Sequence, residues 1–243
     1  MRGYFKKLYV RTMEQAYGLA FREVISALDH GGTVLDCGAN AGASFESLSE
    51  QIEIAKDRYH GIEWDEACVA EGRSKGLDIQ QGDLNKALPF EDNSFRCIYA
   101  LSLLEHLLYP CRFLNNCYRT LEKGGTLVLL TPNISTYFTA ALILAGKMPS
   151  SGPHPDSDLL VQTEELFKVS PDSQVVDSES DTPVHRHLIV FSYSVLRNYL
   201  RMIGFSDVQG YGFGLYPFPN FMQPVLEKLD PNHCHQMVFT ARK

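Results

Sequence analysis

The chain contains six cysteines (Cys37, Cys68, Cys97, Cys111, Cys117 and Cys234), but no two form a C-x-x-C pair or stand at disulfide-framework spacing. They read as reduced thiols, as expected of a cytoplasmic protein. No apolar run reaches the roughly 18 residues needed to cross a bilayer. The basic, aromatic stretch Met1 to Val10 also lacks the apolar centre of a signal peptide, so neither export nor membrane insertion is expected. A concentrated basic stripe is missing too. Lys and Arg number 22 against 29 Asp and Glu, a net charge of -7, which argues against holding nucleic acid by counterion release. The expected partner is a small molecule. There is no internal repeat, and nothing in the composition bears on oligomeric state.

What is present suffices for one core. At 243 residues and 44% hydrophobic, the chain fits a single domain with a modest insertion. We divide it into a core at 33–133, an insertion at 134–186 and a C-terminal helix with strands at 187–243. The acidity belongs to the insertion: eight acids lie between Ser150 and His185 against Lys168 alone, and the rest of the chain is balanced. A Ser-, Pro- and Asp-rich stretch of this kind reads as a solvated loop. Its place after a predicted strand bearing TPN makes a lid over an acceptor pocket the sharper expectation.

Between Thr33 and Thr131, short apolar runs alternate with helical patterns, as in parallel strands joined by crossover helices. The fold class expected is α/β, a doubly wound, mostly parallel sheet. Strands are predicted at Thr33–Cys37, Tyr59–Glu63, Asp78–Gln81, Cys97–Leu101 and Thr126–Thr131. A helix should start at Pro110 and end at Gly124-Gly125. A second is expected from the Ser192 cap to the Gly204 stop, with Val195, Leu196, Tyr199, Leu200 and Ile203 on its apolar face. Later strands are expected near Asp207–Tyr211 and His235–Lys243, with an aromatic, proline-rich loop at Tyr211–Pro224 between them.

The strongest local signal is VLDCGANAG, Val34 to Gly42: a buried strand, an acid near its end, then small residues opening into a helix near Ala43. Such a turn lets backbone approach a ligand closely at the switch point of an open sheet. Gly38 and Gly42 form G-x-x-x-G, and Asn40 stands where a dinucleotide fingerprint needs its second glycine, which disfavours NAD. Two more acids fall at the following strand ends. Glu63 can accept hydrogen bonds from ribose hydroxyls, and Asp83 from the exocyclic amine of adenine. Either one alone would be an ordinary solvated loop acid. Three acids (Asp36, Glu63, Asp83) at consecutive strand ends line one edge of the sheet and favour a cationic, nucleoside-bearing cofactor.

Together with GIEWD, GDLNKALPFEDNSFRCIYALSLLEHL (Gly82 to Leu107) and LEKGGTLVLLTPN (Leu121 to Asn133), this run resembles the class I, Rossmann-like S-adenosylmethionine-dependent methyltransferases. The resemblance covers roughly Thr33 to Asn133 and implies a seven-stranded sheet with an antiparallel final strand and helices on both faces. It implies S-adenosyl-L-methionine as cofactor. The turn from Gly38 through Asn40 to Gly42 would face the methionine half, Glu63 would hold the ribose, and Asp83 with the Leu84 amide would read adenine. Trp64 would pack on the adenine, and Asp36 and Leu101 complete the expected cofactor-binding set.

One departure concerns metal. Some relatives carry a constellation beginning E-x-x-E-H, but here the stretch is Ser102-Leu103-Leu104-Glu105-His106, and the missing first glutamate leads us to expect no metal. Glu105 and His106 are read at a helix start, with the acid answering the helix dipole. HRHLIVFS, His185 to Ser192, resembles the segment after the lid in methyltransferases of natural-product and surface-glycan pathways. Methyl transfer from a sulfonium mainly requires alignment and exclusion of water. An oxygen acceptor would also gain from a base near neutral pKa, which singles out His106, His187 and His185. The function expected is methyl transfer to a small acceptor, most simply at oxygen. The alternative is a noncatalytic cofactor-binding module acting through a protein partner.

Overall fold

The computed structural model describes residues 2–29, 31–149, 151 and 187–243, with side chains from residue 7. Most of the acidic stretch, and with it the greater part of the expected lid and His185, lies outside the described residues.

Seven strands form one sheet: β1 Val34–Cys37, β2 Tyr59–Glu63, β3 Asp78–Gln81, β4 Phe95–Leu101, β5 Leu121–Pro132, β6 Ser206–Phe213 and β7 Gln236–Arg242. Their order is β3-β2-β1-β4-β5-β7-β6. Strands β1 to β5 pair in parallel, and β7 runs antiparallel between β5 and β6. The order reverses between β1 and β4, which places a crevice at their carboxyl ends.

Alternate residues along each strand feed two cores. On one face Leu35, Cys37, Ile98, Ala100, Leu127 and Leu129 meet α4 (Pro110–Thr120) and α6 (Tyr193–Ile203) through Phe113, Leu114, Cys117, Leu196 and Leu200. On the other, Val34, Tyr59, Ile79, Tyr99, Val128 and Leu130 meet α1 (Arg2–Leu28), α2 (Ala43–Ser49) and α3 (Glu66–Ser74). Both faces of the central strands are therefore dry. This is why LVLL in β5 is a continuous apolar run with no alternation.

Helix α1 is absent from the sequence reading. Its buried positions Leu8, Thr12, Ala16, Ala20, Val24 and Leu28 recur every four residues, but Thr12, Ala16 and Ala20 are small or polar and give little apolar contrast. Small side chains let the helix lie close across β4, β5 and β7.

Other expectations need correction. Helix α4 ends at Thr120, and Leu121 already pairs with Phe95, so Gly124-Gly125 lies within β5 at a register shift rather than at a helix stop. Ser192 precedes α6 but its side chain makes no capping bond, while Gly204 closes that helix in the left-handed conformation (φ 117°) as expected. On α6 Tyr193 is buried and Val195 is 55% exposed. The stretch read as a loop at Tyr211–Pro224 contains the end of β6 and the start of α7 (Gln223–Leu229).

The described part of the insertion opens with α5 (Tyr137–Leu144), capped by Thr136, whose hydroxyl accepts from the Thr139 amide. Asn133, fully buried, ties both ends of the insertion together. Its Oδ1 accepts from the Ser135 amide and hydroxyl and from the Tyr193 amide, while its Nδ2 donates to the carbonyls of Asn232 and Cys234. The chain returning from the insertion is thus delivered beside the end of β5.

Candidate active site

The turn after β1 alternates unusual backbone conformations: Gly38, Asn40 and Gly42 have φ of 83°, 47° and 86°. Gly42 permits that geometry where a Cβ would strike the buried Leu77 side chain. The Gly38 and Ala39 amides donate to the Ile62 carbonyl (2.9 and 3.1 Å), which ties the turn to β2. Asn40 adopts the left-handed region with its own side chain as support, since its Oδ1 accepts from the Ala41 amide (2.6 Å).

Glu63, at the end of β2, organises this turn as well as facing the crevice. Its Oε2 accepts from the Asn40 amide (2.8 Å), and its Oε1 from the amides of Trp64 (2.7 Å) and Asp65 (3.0 Å). A carboxylate has about four lone-pair directions, so these bonds leave one on Oε2 for a ligand hydroxyl. Trp64 is 54% exposed, so its ring is an open face rather than part of the core.

At the end of β3, Asp83 is arranged in the same way. Oδ1 accepts from both the amide and the side-chain Nδ2 of Asn85 (2.9 and 3.1 Å), while among the described residues Oδ2 has only the Lys86 ammonium, 3.7 Å away. Asn85, missed in the sequence, accepts in turn from the amides of Leu108 and Tyr109 (2.8 and 3.0 Å). It thereby fixes the loop before α4 against the Asp83 turn. Leu84 is buried beneath this turn, and Leu101 is half-buried at the end of β4.

Asp36 stands apart from this group, a correction to the expected set. Its side chain lies on the face of α1 and α2, is 2% exposed, and accepts from the Tyr59 hydroxyl (2.6 Å). Burial pushes its pKa up to about 6, opposed by hydroxyls of Tyr59, Tyr99 and Ser44. It braces the turn from within the core.

A second group of polar side chains gathers at the ends of β4 and β5. Ser102 has a left-handed backbone (φ 54°) and its hydroxyl accepts from that of Tyr17 (3.1 Å), so α1 reaches the crevice. Non-glycine residues held in this way cluster at functional sites. Glu105 and His106 belong to a short 3-10 turn, Leu104–His106, separate from α4. Glu105 is 2% exposed, so the reading of an acid answering the dipole of a helix start is corrected: burial pushes its pKa up to about 7. Its Oε2 accepts from the Thr131 hydroxyl (2.9 Å).

Its backbone carbonyl accepts from the Leu188 amide (2.7 Å), drawing the segment after the insertion alongside. The His187 and His106 rings consequently meet edge to face at 5.2 Å. Ligand atoms of Glu105, His106 and His187 all lie within 4.8 Å of one another. The expectation of no metal rested on the missing first glutamate beside Glu105 and His106, and the fold brings His187 to that pair as a third potential ligand. Tyr17, Ser102 and Thr131 were also missed. The only sequence signals for them were the weak small-residue stripe of α1 and the strand ends themselves.

The donor and acceptor pattern fits an adenosine-bearing cofactor on this chain's own geometry: Glu63 and Asp83 each retain an unused oxygen lone pair at adjacent strand ends, beside an open indole face. Known proteins agree. A family described as "Methyltransferase domain" matches residues 35–129. A probable S-adenosylmethionine-dependent methyltransferase of Mycolicibacterium smegmatis is 32% identical over 130 residues, 51% of this chain and 49% of that protein. Another from Mycobacterium tuberculosis is 31% identical over 103 residues, 42% of this chain and 35% of that one. The chain thus spans half or less of the length of these curated relatives. Among solved structures, an S-adenosylmethionine-dependent methyltransferase from Mesorhizobium loti superposes with a TM-score of 0.58 at 17% identity, covering 94% of this chain and 98% of that one. A methyltransferase from Thermotoga maritima described as a possible histamine N-methyltransferase does so at 0.56 and 17%, covering 98% and 94%; at such identities these two speak for the fold. Residues 35–129 thus match a methyltransferase domain, and the described chain has the fold of S-adenosylmethionine-dependent methyltransferases.

Proposed function

We propose that the protein transfers a methyl group from S-adenosylmethionine to a hydroxyl of a small acceptor. The observation that carries this reading is the convergence of Glu105, His106 and His187 beside the switch point where the cofactor turn opens. The bound sulfonium supplies the methyl group. Glu63 and Asp83 orient the nucleoside, and the turn from Gly38 to Gly42 accommodates the methionine half. His106 or His187 takes the acceptor's proton at an imidazole nitrogen as its oxygen is methylated, a role to which a group titrating near neutral pH is suited. His185, two residues earlier in sequence, remains a third candidate. Held beside Thr131, the Glu105 carboxyl faces the imidazoles from the dry side of the crevice. Catalysis on this reading needs no metal, and the charge balance outside the acidic stretch supports a small acceptor over a polyanion.

The reading is tested with methyl-labelled cofactor and a panel of phenols, sugars, carboxylic acids and amines. Label retained in an alkali-stable ether, and its loss in His106→Ala and His187→Ala, is the expected result. Transfer only to amines or carboxylates would refute the oxygen assignment. Cofactor binding without turnover on any acceptor class, with a partner protein captured instead, would favour the noncatalytic alternative.

A further inference from the structure

We propose that Glu105, His106 and His187 bind one divalent transition-metal ion of the zinc class, and that this ion blocks the proton-accepting role of the two histidines. The binding claim stands on the cluster alone; only the inhibitory consequence rests on the proposed function.

The three side chains come from two separate stretches of chain that the fold joins. The bonds from the Leu188 and Ile189 amides to the Glu105 carbonyl (2.7 and 3.3 Å) clamp the His187 segment onto the turn bearing the other two. Their ligand atoms lie within 4.8 Å of one another, and His106 Nε2 is 4.0 Å from Glu105 Oε1. An ion bonded to all three at about 2.0 to 2.2 Å would sit between them after side-chain shifts on the order of 1 Å. Two imidazoles and one carboxylate suit zinc, cobalt or iron, whereas magnesium and calcium favour oxygen-rich sets.

Two surrounding features favour a cation. Glu105 is 2% exposed, and among the described residues no Lys or Arg forms an ion pair with it, so a dication would offset the desolvation of its carboxylate. The Thr131 hydroxyl donates to Oε2 and leaves Oε1 turned toward His106, the kind of outer bond that orients metal-binding carboxylates. Three protein ligands leave coordination positions open. A bound ion occupies the imidazole lone pairs that would otherwise accept a proton, so metal binding and base catalysis exclude each other at this site.

The test uses the full chain, stripped with chelator and dialysed. Cobalt(II) is titrated by visible absorption and zinc(II) by calorimetry, in wild type, Glu105→Gln, His187→Ala and a His233→Ala control, each checked for folding by circular dichroism. One equivalent should bind to wild type and to the control, with affinity at least about tenfold weaker in the other two. Absence of a cobalt band in folded wild type, or undiminished binding in both ligand variants, overturns the site. With an active acceptor in hand, zinc should inhibit and chelator should restore activity. Stoichiometric zinc that depends on Glu105 and His187 yet leaves turnover unchanged would uphold the site, overturn the block and refute the histidines as bases. Turnover that requires the ion would likewise overturn the block.

Discussion

Replacing Asp83 by Asn isolates one hydrogen bond in the proposed adenine site. Asp83 Oδ1 is saturated by the two donors of Asn85, and Oδ2 is the open oxygen. Asn keeps Oδ1 in place, so the clasp from Asn85 to the Leu108 and Tyr109 amides survives. An Ala at this position would release that clasp and confuse binding with folding. The Asn amide replaces the open acceptor by a donor, which removes a charged hydrogen bond worth about 1.5 to 3 kcal/mol. This corresponds to roughly 10- to 150-fold in Kd. Calorimetric titration with S-adenosylhomocysteine should show that loss while the melting temperature stays within about 2 °C. The hypoxanthine analogue, which carries a carbonyl in place of the amine, should bind poorly to wild type, and the variant should narrow or reverse that preference. Equal affinity of a folded variant for S-adenosylhomocysteine, or an unchanged adenine preference, would refute the assignment of Asp83.

Glu63→Gln should both weaken S-adenosylhomocysteine at least about tenfold and lower the melting temperature, because an amide nitrogen would face the Asn40 amide where Oε2 now accepts; a change in neither quantity would contradict this. Asn133→Ala removes five hydrogen bonds of a fully buried side chain and should cost at least about 3 kcal/mol in urea unfolding, a loss under 1 kcal/mol counting against the clasp. Asp36, raised from 3.8 to about 6, should favour the fold most below pH 4. That contribution declines as pH rises through 6, because the unfolded chain ionises first. The span is about 3 kcal/mol, and Asp36→Asn should flatten that slope in denaturant melts between pH 4 and 6. His106→Ala or His187→Ala should lower kcat on a hydroxyl acceptor by about 100-fold or more with the Kd for S-adenosylhomocysteine within about twofold; equal turnover would remove that residue as a base.

Much of the crevice along β1 to β3 was legible because its determinants are local. The turn from Gly38 to Gly42 needs left-handed backbone at fixed positions, so small residues and Asn40 mark it in one dimension. Glu63 and Asp83 sit at the ends of strands whose boundaries, Tyr59–Glu63 and Asp78–Gln81, follow from short apolar runs cut by polar turns. The apolar run at Thr126–Thr131 marked a strand, which the sheet then buries on both faces. Composition alone argued against a nucleic-acid surface.

The cluster at the ends of β4 and β5 depended on contacts that sequence order does not encode. Helix α1 gives little periodic signal because close packing selects Ala and Thr at its buried positions, so the pairing of Tyr17 with Ser102 could not be read in advance. Asp36 and Glu63 look equivalent as strand-end acids. Which face each occupies follows from pleat and register, and these send Asp36 into the core beside Tyr59 while Glu63 meets the turn. Glu105 and His106 looked like a helix start, and His187 like a separate residue past an acidic stretch. Only the tertiary fold, through Asn133 and the bond from the Leu188 amide to the Glu105 carbonyl, brings the three into one site. Local backbone demands leave marks along a chain, whereas the meeting of distant side chains is decided by which faces are buried together.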